Sequence, residues 1–100
     1  MEKFLYYNAL YLIYKNLIND KTSEIFDLYY GENLSMQEIA DLKNISKSRV
    51  GIIIKNVEKK LDNYENALGI YQKNNKLTEI LELNNLEKIK EEIEKIIKGE

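Results

Sequence analysis

Proline is absent from this 100-residue chain, and only four of its residues are glycine. No position therefore obliges a helix to break, because proline removes a backbone hydrogen bond and clashes with the preceding turn. Apolar residues recur every three or four positions, the spacing that places them on one face of a helix. These two features predict an all-α fold of five or six helices with no strand.

The length of the chain is enough for one small hydrophobic core. We predict a single helical domain over residues 1–100, with a helix-turn-helix at 35–61 and a C-terminal helical extension at 62–98. Within the extension, the apolar pattern is interrupted at two asparagine pairs, at 74–75 and at 84–85. Each pair predicts a helix boundary.

The most specific segment follows the second predicted helix. Ser35 and Glu38 form the capping-box pattern that opens a helix, and Ala40 is the small residue needed where two helices touch. Asn44 stands at the turn, where a residue tolerant of left-handed backbone is required, and Ser46 is placed to cap the next helix. These features predict a helix-turn-helix with a long second helix, and an ordinary helical hairpin is the alternative. We expect its core to contain Ile39, Ala40, Ile45, Val50 and Ile54.

A locally basic segment coincides with that long helix. At about 100° per residue, Ser48, Ile52, Lys55 and Lys59 point away from the apolar stripe. The pattern indicates phosphate contact on RNA or DNA, and a solvated face of a lysine-rich protein is the alternative. The candidate nucleic-acid-binding residues are Lys47, Ser48, Arg49, Ile52, Lys55 and Lys59.

Arg49 is the only arginine in the chain. Because guanine is usually recognised by a bidentate arginine, the sequence favours generic RNA or DNA contact over sequence-specific DNA reading. The net charge of −2 also argues against indiscriminate coating of nucleic acid.

Histidine and cysteine are both absent, which removes the usual general base, the thiol nucleophile and most zinc sites. No glycine-rich phosphate loop is present either. We therefore predict a non-enzymatic protein with no catalytic residues, no metal site and no cofactor. The first residues lack the pattern of a signal peptide, and no apolar run is long enough to cross a membrane. We expect a cytoplasmic protein without membrane insertion.

Apolar surface is concentrated towards the two ends of the chain. Patches of that size rarely persist on soluble monomers, so we predict a homodimer. The alternative is that the last helix covers the first within one chain. The residues concerned are Tyr6, Tyr7, Leu10, Tyr11, Ile13, Tyr14, Leu17 and Ile18 in the first helix, and Leu86, Ile89, Ile93, Ile96 and Ile97 in the last.

Several strings of residues together resemble the YlxM family, over about residues 7–71. The strings are Ile25-Phe26-Asp27-Leu28-Tyr29-Tyr30, Leu34-Ser35-Met36-Gln37-Glu38-Ile39-Ala40, Asn44-Ile45-Ser46-Lys47-Ser48-Arg49-Val50, Glu58-Lys59-Lys60-Leu61, Tyr64-Glu65 and Leu68-Gly69-Ile70-Tyr71. The resemblance implies an all-helical protein, similar to the last DNA-binding domain (region four) of bacterial sigma factors, with a helix-turn-helix core and no wing.

In many bacteria the YlxM gene lies beside that of the signal recognition particle GTPase. The resemblance thus implies an accessory or regulatory role in protein targeting, through binding of the particle's RNA, its GTPase or both. A DNA-binding transcriptional regulator and a purely structural oligomer are the alternatives.

Three positions depart from the family's usual pattern: Lys43, Gly51 and Ile52. Lys43 stands where a large apolar residue is common, and we expect Leu42 to take over that packing. Ile52 is predicted to be an exposed apolar group in the middle of the reading face.

Overall fold

The computed structural model describes residues 2–99, apart from the side chain of Asp20. These residues form six α-helices. No strand is found within this range. The all-α prediction and the helix-turn-helix are thus confirmed. The helices are α1 (Glu2–Tyr14), α2 (Asp20–Phe26), α3 (Met36–Lys43), α4 (Lys47–Leu68), α5 (Ile70–Leu81) and α6 (Leu86–Lys98), with a 3-10 turn at Lys15–Leu17 and a π-helical turn at Asp27–Gly31.

The contacts divide the chain into a first unit, Met1–Leu68, and a second unit, Gly69–Glu100. The predicted boundary at 61/62 falls inside α4, which continues to Leu68. Gly69 ends it with a φ of 62°, a left-handed conformation that glycine adopts without steric cost. The single domain over residues 1–100 stays a prediction.

The two asparagine pairs behave differently. The boundary predicted at 74–75 is wrong, because both residues lie inside α5 and asparagine costs an interior helix position only a fraction of a kcal/mol (about 0.7 or less). The boundary predicted at 84–85 is confirmed. Asn85 is the N-cap of α6, and its side-chain oxygen accepts a hydrogen bond from the backbone N–H of Lys88 at 3.2 Å.

The core of the first unit lies where α1, α2 and α3 pack on α4. Phe26 stacks on Tyr30, with ring centroids 4.3 Å apart, and Phe4 stacks on the same ring at 4.6 Å. Four of the five residues predicted to share this core are buried, and the fifth, Ile45, is half-buried. The largest fully buried side chains are Phe26, Leu10, Ile39, Ile54, Leu61, Val50 and Val57.

Three tyrosine hydroxyls donate hydrogen bonds to three carboxylates of α4. The carboxylates are spaced four and three residues apart, so they lie along one side of the helix. Two of the tyrosines belong to α1, so much of its tyrosine face packs inside the first unit and is not left free for a second chain. The pairs are Tyr30–Glu58 (2.5 Å), Tyr7–Asp62 (2.8 Å) and Tyr14–Glu65 (2.6 Å).

These environments favour the neutral form of the tyrosines. Burial, together with the hydrogen bond to Glu58, holds the pKa of Tyr30 well above its ordinary value. Burial is also the main cause that raises the pKa of Tyr7 to about 12, with Asp62 contributing. Burial raises the pKa of Tyr11 to about 12 as well. The phenol hydrogen bonds therefore depend on protons that these side chains hold firmly.

The second unit consists of α5 packed against α6. Among its described residues only Ile80 is buried. No helix within residues 2–99 is long and apolar enough to span a membrane. Several large apolar side chains of this unit remain exposed: Ile70, Leu77, Leu81, Leu86, Ile93 and Ile97.

Candidate nucleic-acid interface

The first helix of the motif opens as predicted. The Ser35 hydroxyl oxygen accepts a hydrogen bond from the backbone N–H of Glu38 at 3.0 Å, and the Glu38 carboxylate accepts one from the backbone N–H of Ser35 at 3.0 Å. The capping box is thus complete. The hydrogen bonds from Ser35 also lower the pKa of the Glu38 carboxyl.

The turn between α3 and α4 is also determined by residues within the turn itself. Asn44 adopts left-handed geometry, with φ 57° and ψ 45°, and ends α3. The backbone N–H of Ile45 then donates to the Ala40 carbonyl at 3.1 Å. Ser46 caps α4 by accepting from the backbone N–H of Arg49 at 3.1 Å. The turn residues therefore fix the direction in which α4 leaves α3.

The two helices of the motif approach closely at small residues. Ala40 is almost fully buried in their contact. On α4, the position where a Gly51 side chain would begin lies 3.8 Å from the Met36 sulfur of α3, an ordinary van der Waals distance. This contact sets which side of α4 faces α3 and leaves the opposite side to solvent.

All six predicted nucleic-acid-binding residues are exposed, but they do not form one cluster. By helical spacing, Ser48, Ile52, Lys55 and Lys59 share the side opposite the core, which we call the outer face of α4. Ile52 is 53% exposed there, as expected. Lys47 lies one heptad before the buried Ile54 and is exposed because it opens the helix, whereas Arg49 lies on the flank towards α2.

The charges of α4 are segregated around its axis. Between residues 47 and 60 the helix contains a single carboxylate, Glu58, which is 8% exposed, accepts from Tyr30 and lies 3.8 Å from the Lys3 ammonium. Asp62 and Glu65, further along, are hydrogen-bonded on that same side. The exposed cations of this stretch, Lys47, Arg49, Lys55, Lys59 and Lys60, thus have no exposed carboxylate among them.

The expectation that Leu42 replaces Lys43 in packing is wrong. Leu42 is 63% exposed. Lys43 itself is half-buried, and its ammonium forms an ion pair with Glu24 of α2. A lysine can cover apolar surface with its aliphatic stem while its charged end finds a partner, which explains the tolerance of this position.

Sequence reasoning did not recognise a groove between α2 and α4. Two adjoining cavities share Thr22, Arg49, Ile53 and Lys60 as lining residues. Only the helical wheel of α4 could have hinted at it, since Arg49, Ile53 and Lys60 lie on one flank, but the facing residues of α2 are set by the tertiary fold. Within residues 2–99, no three histidine, cysteine, aspartate or glutamate side chains are grouped so as to hold a metal ion.

The fold and the exposed second helix of the motif define a helix-turn-helix protein. The chain matches UPF0122 over residues 1–99, a family described as "Putative helix-turn-helix protein, YlxM / p13 like". It therefore belongs to this family, and the resemblance seen in the sequence is confirmed.

Curated relatives carry the same family name. The UPF0122 protein of Ureaplasma parvum serovar 3 is 45% identical over 80 residues, which cover 80% of this chain and 81% of the relative. The UPF0122 protein of a Thermoanaerobacter species is 36% identical over 93 residues, covering 93% of this chain and 75% of the relative. That of Clostridium acetobutylicum is 38% identical over 73 residues, covering 73% and 63% respectively.

Proposed function

We propose that this protein binds RNA phosphates through α4 and acts as an accessory or regulatory protein of the signal recognition particle pathway. The observation that carries the binding proposal is the charge segregation of α4. Five exposed cations between residues 47 and 60 have no exposed carboxylate among them along α4, the second helix of the helix-turn-helix. Phosphate contacts of this kind set affinity and position without reading sequence.

Three features favour RNA over a specific DNA site. The only arginine, Arg49, lies on a flank of α4, and the apolar Ile52 occupies the middle of the outer face. In a DNA-bound helix-turn-helix the first helix crosses the phosphate backbone. Here that helix is α3, which exposes the carboxylates Glu38 and Asp41. Both would repel a duplex lying across it.

The particle is proposed as the partner because of the family resemblance. Its RNA would meet α4, and its GTPase is the protein partner that the resemblance implies. The alternative is a DNA-binding transcriptional regulator, which the long, exposed second helix of the motif favours. The two proposals differ in the nucleic acid that α4 selects.

Binding of the signal recognition particle RNA and of a DNA duplex of equal length would test both. We expect tighter binding of the RNA, with log affinity falling by about 0.7–0.9 per phosphate contact for each unit of log salt concentration. The variant with Lys47, Arg49, Lys55 and Lys59 all changed to Glu should lose this binding. The matched control changes four exposed lysines of the second unit to Glu and should retain most of it: Lys73, Lys76, Lys90 and Lys98.

Equal loss in the two variants would show non-specific attraction and count against α4 as the site. Specific, tight binding of one DNA sequence would favour the regulator instead. Binding of the purified GTPase by the fourfold α4 variant as well as by the wild-type protein would separate the protein partner from the RNA partner.

We also propose that the chain forms a homodimer through the second unit. Since much of the tyrosine face of α1 is used within the first unit, the apolar side of α6 is the better candidate interface. It exposes Leu86, Ile93 and Ile97, and no residue of α6 is buried. Sedimentation of the full chain at tens of micromolar, beside a chain ending at Asn85, should give a dimer and a monomer. A monomeric full chain would overturn this proposal.

A further inference from the structure

The groove between α2 and α4 is lined by apolar, basic and amide side chains. The half-buried Ile53 lies on the floor of the groove, and the exposed Ile52 lies at its outer rim. Two amides, Asn56 and Asn63, lie along the same flank of α4, seven residues apart. We propose that this groove, which runs along α4 beside its outer face, is the docking site for an acidic amphipathic helix of a protein partner.

The charge of the groove calls for an anionic occupant. Its lining contains one carboxylate, Glu24, and the ammonium of Lys43 is paired with it. The other cations that line the groove form no ion pair within the described residues. They are Lys21, Arg49, Lys59 and Lys60. An occupant with glutamate or aspartate on its edges would meet these cations on both sides of the apolar floor.

The length of the groove along α4 suits a short helix. On α4 its lining extends from Arg49 to Asn63, which at about 1.5 Å per residue is about 21 Å. A partner helix of about four turns covers that length and would place a leucine or isoleucine on the floor every three or four residues. Ile53 and Ile52 are the contacts that such side chains would find.

The groove is less suited to nucleic acid than the outer face. Single strands are usually bound by stacking their bases on aromatic rings, and no aromatic residue lines this groove. Phosphates of a folded RNA reach exposed cations such as Lys55 without entering a concave apolar surface. The occupant favoured by the observations is therefore a protein segment. This inference does not depend on whether α4 binds RNA.

A labelled peptide of about 14 residues, with leucine every three or four positions, glutamate beside the leucines and alanine elsewhere to favour a helix, tests the proposal by fluorescence anisotropy. A scrambled peptide of the same composition controls for charge alone. Lys60→Glu, in the groove, is expected to weaken peptide binding by at least about tenfold, because it replaces an attraction by a repulsion. Lys55→Glu makes the same charge change on the outer face of the same helix and should leave peptide binding within about threefold of the wild type.

The same two variants, titrated with the particle's RNA, keep this proposal distinct from the RNA-binding proposal. RNA binding should be weakened more by Lys55→Glu than by Lys60→Glu. Both positions are exposed, so both variants should fold, and far-ultraviolet circular dichroism checks that they do. Failure of the peptide to bind, equal binding of the scrambled peptide, or equal effects of the two variants on the peptide would each overturn the groove as a helix-docking site. RNA binding that is lost in Lys60→Glu and kept in Lys55→Glu would assign the groove to nucleic acid.

Discussion

The two units place their apolar residues very differently. Of the fourteen buried apolar residues within residues 2–99, thirteen lie in the first unit, and Ile80 alone lies in the second. Yet α6 separates its apolar and charged sides more sharply than α1, α3, α4 or α5 does, and none of its residues is buried. In contrast, α1 has little separation and contributes Leu10, Tyr11 and Tyr14 to the core.

This difference shows that an amphipathic pattern identifies an apolar surface that other residues must bury. The pattern does not show which residues bury it. In α1, tyrosines can pack on a broad face because the hydroxyls of Tyr7, Tyr11 and Tyr14 each find an acceptor. In α6, isoleucines bordered by glutamate and lysine define a narrow stripe that is only partly covered: Ile89 and Ile96 are half-buried, and Ile97 is exposed. The following substitutions test whether burial or pattern decides the contribution of each unit.

The largest difference in stability is expected between two leucine-to-alanine substitutions, one in each unit. Leu61→Ala removes a fully buried side chain of α4 and should lower the free energy of unfolding by about 2–5 kcal/mol, because it leaves a cavity. Leu81→Ala removes one that is 84% exposed and should change it by no more than about 0.5 kcal/mol. Urea unfolding followed by circular dichroism measures both. A large, concentration-dependent loss for Leu81→Ala would instead show that a second chain covers it.

Replacing alanine by phenylalanine should have different effects on stability at a buried and at an exposed position of the first unit. Ala40→Phe places a large ring where α3 touches α4 and should destabilise the protein by about 1–3 kcal/mol. Ala67→Phe adds the same ring at an exposed position of α4 and should have little effect. An unchanged melting temperature for Ala40→Phe would contradict the close contact at the centre of the helix-turn-helix.

Alkaline pH should act on the first unit through its buried tyrosines. The pKa of Tyr11 is raised to about 12 from an ordinary value of 10.0, so above pH 10 the unfolded chain releases a proton that the folded chain keeps. The contribution of Tyr11 to the free energy of unfolding is therefore unchanged below pH 10. It falls as the pH rises towards about 12, by at most about 1.4 kcal/mol per pH unit. Tyr11→Phe should flatten the decline measured by urea unfolding. An equal decline in both proteins would show that Tyr11 is not responsible.

The smallest effects concern two glycines with opposite backbone requirements. Gly51→Ala should stabilise α4 by about 0.5–1 kcal/mol, because the new methyl group meets only the Met36 sulfur at 3.8 Å. Gly69→Ala has open space around it but a φ of +62°, so it should destabilise by about 1–2 kcal/mol. Thermal unfolding distinguishes the two signs. Stabilisation by Gly69→Ala would mean that α4 and α5 tolerate merging at this point.

Local rules predicted the motif well, because its determinants act within a few residues. The capping box at Ser35, the left-handed Asn44 and the Ser46 cap each satisfy backbone groups beside them, whatever the rest of the chain does. The helix break at Gly69 was missed because a single glycine is also tolerated inside helices, as Gly51 shows.

The candidate site was predicted only in part, because it depends on distant residues. Spacing along α4 correctly indicated which side chains would be exposed. It did not show that Glu58 would be withdrawn towards Tyr30, which leaves the outer face without an exposed carboxylate. Nor did it show that Lys43 would pair with Glu24, or that α2 would form the second wall of a groove. These partners are chosen by tertiary packing across tens of residues.

The tyrosine–carboxylate pairs have a consequence for how the chain is made. Tyr7 and Asp62 are separated by 55 residues, and Tyr14 and Glu65 by 51. A ribosome adds about 5–20 residues per second, so the aromatic side of α1 exists for about 3–11 seconds before its acceptors have been synthesised. During that interval of translation the hydroxyls of Tyr7 and Tyr14 have only water to accept their hydrogen bonds, because the carboxylates that accept them in the folded protein do not yet exist.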